Sequence, residues 1–372
     1  MPQPVGFGYR QAMAFDVPPP ISAVPRPERR RTVLRALVAA TLSAHGAARS
    51  QERPEKPEKP KLTLAVGGKT TLYYLPLTIA EHLGFFAEEG LEVELQDHAG
   101  GGLALQSLLH GRADVGAGGF EHTILLRQRG LTCRAFALLG RAPQLVFGVG
   151  TRALPDFREV SQLRGRRVGI SAPDSSTHWF ARMVLARAGV AAADVEYVGI
   201  GTSTAAAAAL REGRIDALAS VDPVISLLEF RGEIRVVADT RSPRGTQELF
   251  GGPMPGGCVF APQAFVVRYP QTVQAIANAT VRALKWLQTA GPSDIVRGVP
   301  EAYMYGDRAI YLASLEKARA AFSPDGVVSE EAVTTAHRVV AQYGGGFTRV
   351  QAPGATYTND FVRRAKLKFQ VS

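Results

Sequence analysis

The sequence predicts an α/β protein of two similar lobes, each a mostly parallel sheet flanked by helices, with a hinged cleft between them. Three observations predict it. Short β-prone runs alternate with helix-length stretches at the spacing of βαβ units. The string Gly111-Arg112-Ala113-Asp114 recurs as Gly213-Arg214-Ile215-Asp216, an offset of 102 residues, and in both copies a helix ends on glycine and a strand opens with an acid. The last third of the chain is mainly helical, so the chain must leave the first lobe and come back to it. The crossings are expected near 149–151 and 239–240. The expected units are a leader and export signal over 1–50, a linker over 51–60, a first lobe over 61–149 plus 241–372, and a second lobe over 150–240.

The elements follow in order. Lys61-Leu62-Thr63-Leu64-Ala65-Val66 alternates and breaks at Gly67-Gly68. Residues 78–86 read as the end of a helix closed by Gly84, 91–95 as a strand, 100–109 as a helix opened by three glycines, and 113–117 as a strand. The second copy runs from a strand at 166–171 through the turn Asp174-Ser175-Ser176-Thr177 into a helix at 179–185 and a strand at 195–198. Residues 260–266 read as a strand entering a helix, and 272–287, 309–321 and 330–342 as helices.

Composition excludes several classes. Of 372 residues, 46% are hydrophobic and 20% charged, which suits a chain with a large core and not a disordered one. Cys133 and Cys258 lie too far apart for a CxxC, zinc-ribbon or iron–sulfur pattern, and the sequence leaves open whether they pair. No run of uninterrupted apolar residues is long enough for a multi-span membrane protein. Half of the net charge of +10 comes from residues 1–50, and no basic cluster interleaved with aromatics follows, so nucleic acid is not expected.

Arg29-Arg30-Arg31 precedes an apolar run over 33–42 and then small residues through Ser50. Basic, apolar and small segments in that order are the layout of an export signal. Arg30-Arg31-Thr32-Val33-Leu34 also resembles the twin-arginine motif, so either that pathway or the general secretory one is expected, without lipid attachment. Residues 1–25 have no such logic. Glu52 to Pro60 is charged and proline-spaced, and is expected not to pack.

The chain resembles the periplasmic solute-binding proteins of nitrate, sulfonate and taurine ABC importers, a superfamily that includes binders of the thiamine pyrimidine precursor. The resemblance rests on Leu75-Pro76-Leu77-Thr78-Ile79-Ala80, Leu83-Gly84-Phe85-Phe86-Ala87-Glu88-Glu89-Gly90-Leu91-Glu92-Val93 and Gly111-Arg112-Ala113-Asp114-Val115. It continues in Leu163-Arg164-Gly165-Arg166-Arg167-Val168-Gly169 and in Gly213-Arg214-Ile215-Asp216-Ala217 with Asp222-Pro223. It implies the two-lobed type 2 periplasmic binding protein fold. It also implies a monomer without cofactor that closes on a small solute and delivers it to an ABC permease with its ATPase.

Gly68-Lys69-Thr70 matches the end of a phosphate-binding loop, but Thr63 stands where that loop needs its first glycine. Lys69, Thr70, Thr71, Tyr73 and Tyr74 instead form the first strand-to-helix turn, which lines the pocket in the family the chain resembles. Ser175, Ser176 and Thr177 are the equivalent turn of the second lobe. They suit either N-capping or the gripping of an anion by neutral donors. Gly119 and Phe120 could approach or stack on a ligand. Glu121 and His122 favour a ligand with a cationic or donating part, or else form a structural pair, and Asp222 holds the matching place. Arg141 after a strand, and Met254 in the Gly251–Gly257 loop, complete the candidates.

No Gly-x-Ser-x-Gly elbow and no HExxH pattern is present. The enzymes nearest in appearance, thiamine-pyrimidine synthases, use a cysteine-rich iron-binding run that this sequence lacks. An ABC importer's exported binding protein is therefore the leading reading. A secreted sensor docking on a receptor, or an enzyme resembling those synthases, is the alternative.

Overall fold

The computed structural model describes residues 56–343 and 352–371. The expected leader, the start-site question and residues 51–55 of the linker lie outside the described residues. Eight elements open the first lobe: β1 (Lys61–Val66), α1 (Leu75–His82), α2 (Phe85–Glu88), β2 (Glu92–Asp97), α3 (Gly101–Leu109), β3 (Val115–Gly119), α4 (Glu121–Gln128) and β4 (Cys133–Leu138). The second lobe holds β5 (Val146–Gly150), β6 (Arg167–Ile170), α5 (Ser176–Arg187), β7 (Glu196–Gly199), α6 (Thr204–Arg211), β8 (Ala217–Ser220), α7 (Val224–Phe230) and β9 (Ile234–Asp239). The chain returns through α8 (Pro243–Phe250) to β10 (Gly257–Pro262) and α9 (Gln263–Arg268). Five helices follow: α10 (Pro270–Thr289), α11 (Pro292–Gly298), α12 (Arg308–Ala318), α13 (Glu330–Tyr343) and α14 (Asp360–Phe369).

Each lobe has a five-stranded sheet, ordered β2-β1-β3-β10-β4 in the first and β7-β6-β8-β5-β9 in the second. In each, the one antiparallel strand is the first that follows a crossing, β10 or β5, inserted between two strands of the parallel set. The internal repeat is therefore a repeat of topology. Gly111 and Gly213 both take φ 68, and the acid three residues on serves the same purpose in each lobe. Asp114 accepts the Thr63 N–H at 3.1 Å and pairs with Lys59, while Asp216 accepts the Arg167 N–H at 2.9 Å and pairs with the Arg167 guanidinium. The acid that opens the third strand thereby pins the start of the first.

Two expectations are corrected here. Val146–Gly150 pairs with β8 and β9, so the first crossing is made over 139–145, ahead of the expected 149–151. The end of the linker does pack. Glu58 accepts the Gln271 and Thr272 N–H groups at 2.9 and 2.8 Å, because α10 opens on Pro270 with its first donors unsatisfied. Burial alone would raise the Glu58 carboxyl, but these hydrogen bonds outweigh it and hold it below the usual range.

The two crossings run side by side. The Thr240 hydroxyl donates to the Leu145 carbonyl and accepts the Leu145 N–H, both at 2.8 Å, and the Gln144 N–H donates to the Thr240 carbonyl. This pair of bonded segments is the hinge. Cys133 and Cys258 are buried free thiols; across β4 and β10 they face Pro262 and Leu138, out of register with each other. Among the described residues no helix is long and apolar enough to cross a membrane.

Candidate functional site: the cavity between the lobes

A small cavity, open to solvent at its mouth, lies between the lobes. Its walls come from the carboxyl ends of strands in both sheets, the place where open α/β sheets hold ligands. The first lobe contributes Gly67, Thr71, Tyr73 and Tyr74 after β1 and Gly101 at the start of α3. Leu145 of the hinge, Ser171, Ser175, Ser176 and Thr177 between β6 and α5, Thr202 after β7 and Val221 after β8 complete the lining. Eight of these twelve residues carry hydroxyls, and none is charged.

The hydroxyls of the second lobe are wired together. Thr177 Oγ1 accepts the Ser171 N–H at 2.9 Å and lies 2.9 Å from Ser171 Oγ and 2.7 Å from Ser175 Oγ. Ser175 is the N-cap of α5, and its Oγ accepts the His178 N–H at 3.2 Å. Three hydroxyl protons serve two oxygen–oxygen contacts, so one proton, on Ser171 or Ser175, is left to point elsewhere. The cavity these residues line offers it an acceptor's place. The Ser176 and Thr177 N–H groups at the first turn of the twelve-residue α5 add donors and the positive end of the helix dipole.

From the first lobe, burial, and secondarily the Glu121 carboxylate, pushes the Tyr73 phenol well up. Burial does the same to Tyr74 against a hydrogen bond at the Gly67 backbone. Both phenols therefore keep their protons. The lobes also touch directly: Ser176 Oγ is 3.4 Å from His122 Nε2, the Leu72 N–H donates to the Asp222 carbonyl, and Tyr305 bridges Thr70 Oγ1 at 2.7 Å and the Thr202 carbonyl at 3.2 Å.

Of the candidates named from sequence, Thr71, Tyr73, Tyr74, Ser175, Ser176 and Thr177 line this cavity. Thr70 stands one bond outside it, on Tyr305. Lys69 does not face it with free charge, because its ammonium pairs with Glu81, in the last turn of α1, at 2.7 Å. Phe120 is fully buried, with its ring edge-on to Tyr357 in the core, and is not available for stacking. Gly119 leaves room for the Glu121 carboxylate, which a Cβ there would overlap, and not for a ligand. Glu121 is buried with Oε1 unpartnered, 3.9 Å from His122 Nε2.

Asp222 is only 3% exposed and is taken up by the Ser226 N–H and hydroxyl and by the buried Arg241 guanidinium, 3.4 Å away. Arg141 sits in the first crossing segment and does not line this cavity; it donates to the Ala320 carbonyl beside a separate cavity near Ser323 and Glu331. Met254 is buried in the core. Neither Glu121 nor Asp222 lines the cavity, although the Glu121 charge reaches Tyr73, which does.

Gly67, Gly101, Leu145, Ser171, Thr202 and Val221 were not anticipated. The repeat offset is a signal that reaches one of them: 102 residues on from Gly100, in the turn that opens α3, stands Thr202, in the turn that opens α6. Among the described residues no group of three or more His, Cys, Asp and Glu comes together to hold a metal ion.

Comparison with known proteins agrees with this architecture. A solved structure from Bordetella bronchiseptica RB50 is 47% identical, covering 85% of this chain and all of that one, at a TM-score of 0.83. The periplasmic nitrate-binding protein NrtA of Synechocystis PCC 6803 shares the fold at a TM-score of 0.67 and 14% identity, over 86% of this chain and 91% of its own. The alkanesulfonate-binding protein SsuA of Xanthomonas axonopodis pv. citri does so at 0.61 and 19%, over 84% and 98%. In sequence, YtlA of Bacillus subtilis (strain 168), which bears the name of a binding protein, is 24% identical over 70% of this chain and 77% of its own. The 4-amino-5-hydroxymethyl-2-methylpyrimidine phosphate synthase of Uromyces fabae is 28% identical, but over only 29% of this chain and 32% of the enzyme. The family profile described as NMT1/THI5 like matches residues 71–292, and the chain, with the fold of a periplasmic binding protein, belongs to that family.

Proposed function

We propose that this chain is the exported solute-binding component of an ABC import system. It captures a small anionic or acceptor-rich organic solute between its lobes and delivers it, from the periplasm, to a permease driven by a separate ATPase. The observation that carries this reading is the uncharged, hydroxyl-lined cavity at the first turn of α5, between the two lobes. Neutral O–H and N–H donors hold an anion in a dry site without a fixed counter-charge and let it go again when the lobes part. That two proteins of the same fold are named for nitrate and for alkanesulfonates agrees with such a site.

The test is a thermal-shift screen against nitrate, bicarbonate, taurine, methanesulfonate, benzoate and a methylated aminopyrimidine, repeated with Ser175→Ala/Ser176→Ala. A binder at a hundred times its Kd stabilises the parent by about 2.7 kcal/mol. The double variant weakens that binder by about 1–3 kcal/mol while keeping its far-ultraviolet spectrum. Silence across the panel from a folded, ligand-free protein moves the reading to a receptor-docking sensor or to an enzyme. Undiminished affinity in the variant removes the two serines from the site.

A further inference from the structure

A second cavity, open to solvent, adjoins the first and shares Ser175 with it. It too is built from both lobes. Its floor is Leu105, Leu125 and Leu126, and one wall is Trp179, which stacks on Phe250 and whose buried Nε1 has no hydrogen-bond partner. Arg129, just past α4, and Arg182, in α5, bring a guanidinium from each lobe. Neither guanidinium forms an ion pair among the described residues. The other titratable groups facing this space are His122, His178 and Asp174. Burial, and then Arg182, lowers the His178 pKa against the opposing pull of Asp174, so that imidazole is neutral at physiological pH. Asp174 is exposed and offsets one cation at most, which leaves the cavity cationic.

We infer that this annex receives the second anionic group of a bifunctional organic anion. Its first acceptor group occupies the hydroxyl cavity, and its apolar or aromatic body lies along Trp179 and the leucines. The inference rests on the solute-binding reading above and narrows it to one class of solute. An anionic group between Arg129 and Arg182 gains two charge-assisted hydrogen-bond partners only when the lobes are together. Without it, closure brings two like charges toward one space. A bifunctional anion thus favours the closed arrangement more than a monoanion of the same body does, and that difference is what drives closure.

The experiment is calorimetric titration of the full chain with matched pairs: benzoate against benzene-1,4-dicarboxylate, and benzenesulfonate against 4-sulfobenzoate. The second anionic group should raise affinity at least tenfold in the parent, and raising the salt from 50 to 500 mM should compress that ratio. Arg129→Gln/Arg182→Gln should bring the ratio to within about threefold. Both side chains are exposed or half-buried, and the single variants serve if the double one melts early. A parent ratio near one, or a ratio that survives in the variants, overturns the annex and leaves the hydroxyl cavity standing. Binding by no member of either pair, together with silence in the screen above, overturns the solute-binding reading and the annex with it.

Discussion

Arg241 shows what one residue carries in this fold. It is 1% exposed, and its guanidinium reaches Asp239 at 2.5 Å, Glu229 at 2.7 Å and Asp222 at 3.4 Å, with Lys317 closing the cluster on Glu229. Arg241→Met leaves Asp222 buried without its cation and should cost about 3–5 kcal/mol at pH 7. The pH dependence follows from the three carboxyls. Burial raises Asp239 and Glu229, but the bonds to Arg241 outweigh it and lower both; for Asp222 burial wins over Arg241 and the shift is upward. The two lowered acids supply stability that is present above their ordinary range and lost as pH falls through their folded pKa values. Asp222 works in the opposite sense. Once Arg241 is gone the carboxyls gain by protonation, so the deficit of the variant should shrink from pH 7 to pH 4 in urea titrations. A deficit that holds constant over that range would assign the cost to lost packing instead. The sequence marked Asp222 as a ligand candidate because its place matches that of Glu121. It could not show that an arginine nineteen residues on had already claimed it.

At the scale of elements, the strands and helices of the repeated units were legible because hydrophobic periodicity and glycine caps are local signals, whereas β4, β5 and β9 were not. β1 begins and ends where the alternation does, and both Gly-x-x-Asp turns are where the repeat puts them. The cavity was half legible, since strand-to-helix turns rich in Ser, Thr and Tyr announce themselves. What stayed hidden needed a partner from the other lobe. Gly100-Gly101-Gly102 reads as a helix opening, yet Gly102 also lies against the Pro173 backbone across the cleft, where a Cβ would overlap the carbonyl oxygen. Within α3 alone, Gly102→Ala is favourable by up to about 1 kcal/mol. The variant should therefore keep its helix content and thermal stability but hold the lobes apart. Small-angle scattering with the strongest binder of the screen should give it a larger radius of gyration than the parent and a weaker Kd. Equal contraction in both proteins would show that the backbone yields at this point.

At the scale of the whole molecule, the two lobes are alike in topology but not in how the chain assembles them. The second is one continuous stretch from β5 to β9. The first is discontinuous, and its sheet lacks the strand between β3 and β4 until β10 is supplied. A chain ended at residue 256 should keep a protease-resistant fragment spanning roughly β5 to β9 and lose the first lobe to digestion, as read by mass spectrometry of the surviving peptides. Equal survival of β1 to β4 would mean that β10 is dispensable. The same insertion sets a schedule for synthesis. Roughly 120 residues separate the end of β4 from the start of β10, on the order of ten seconds of translation. By the end of that interval the nascent chain has finished its later lobe and not its earlier one, and throughout it β3 and β4 expose open backbone edges to whatever meets them first.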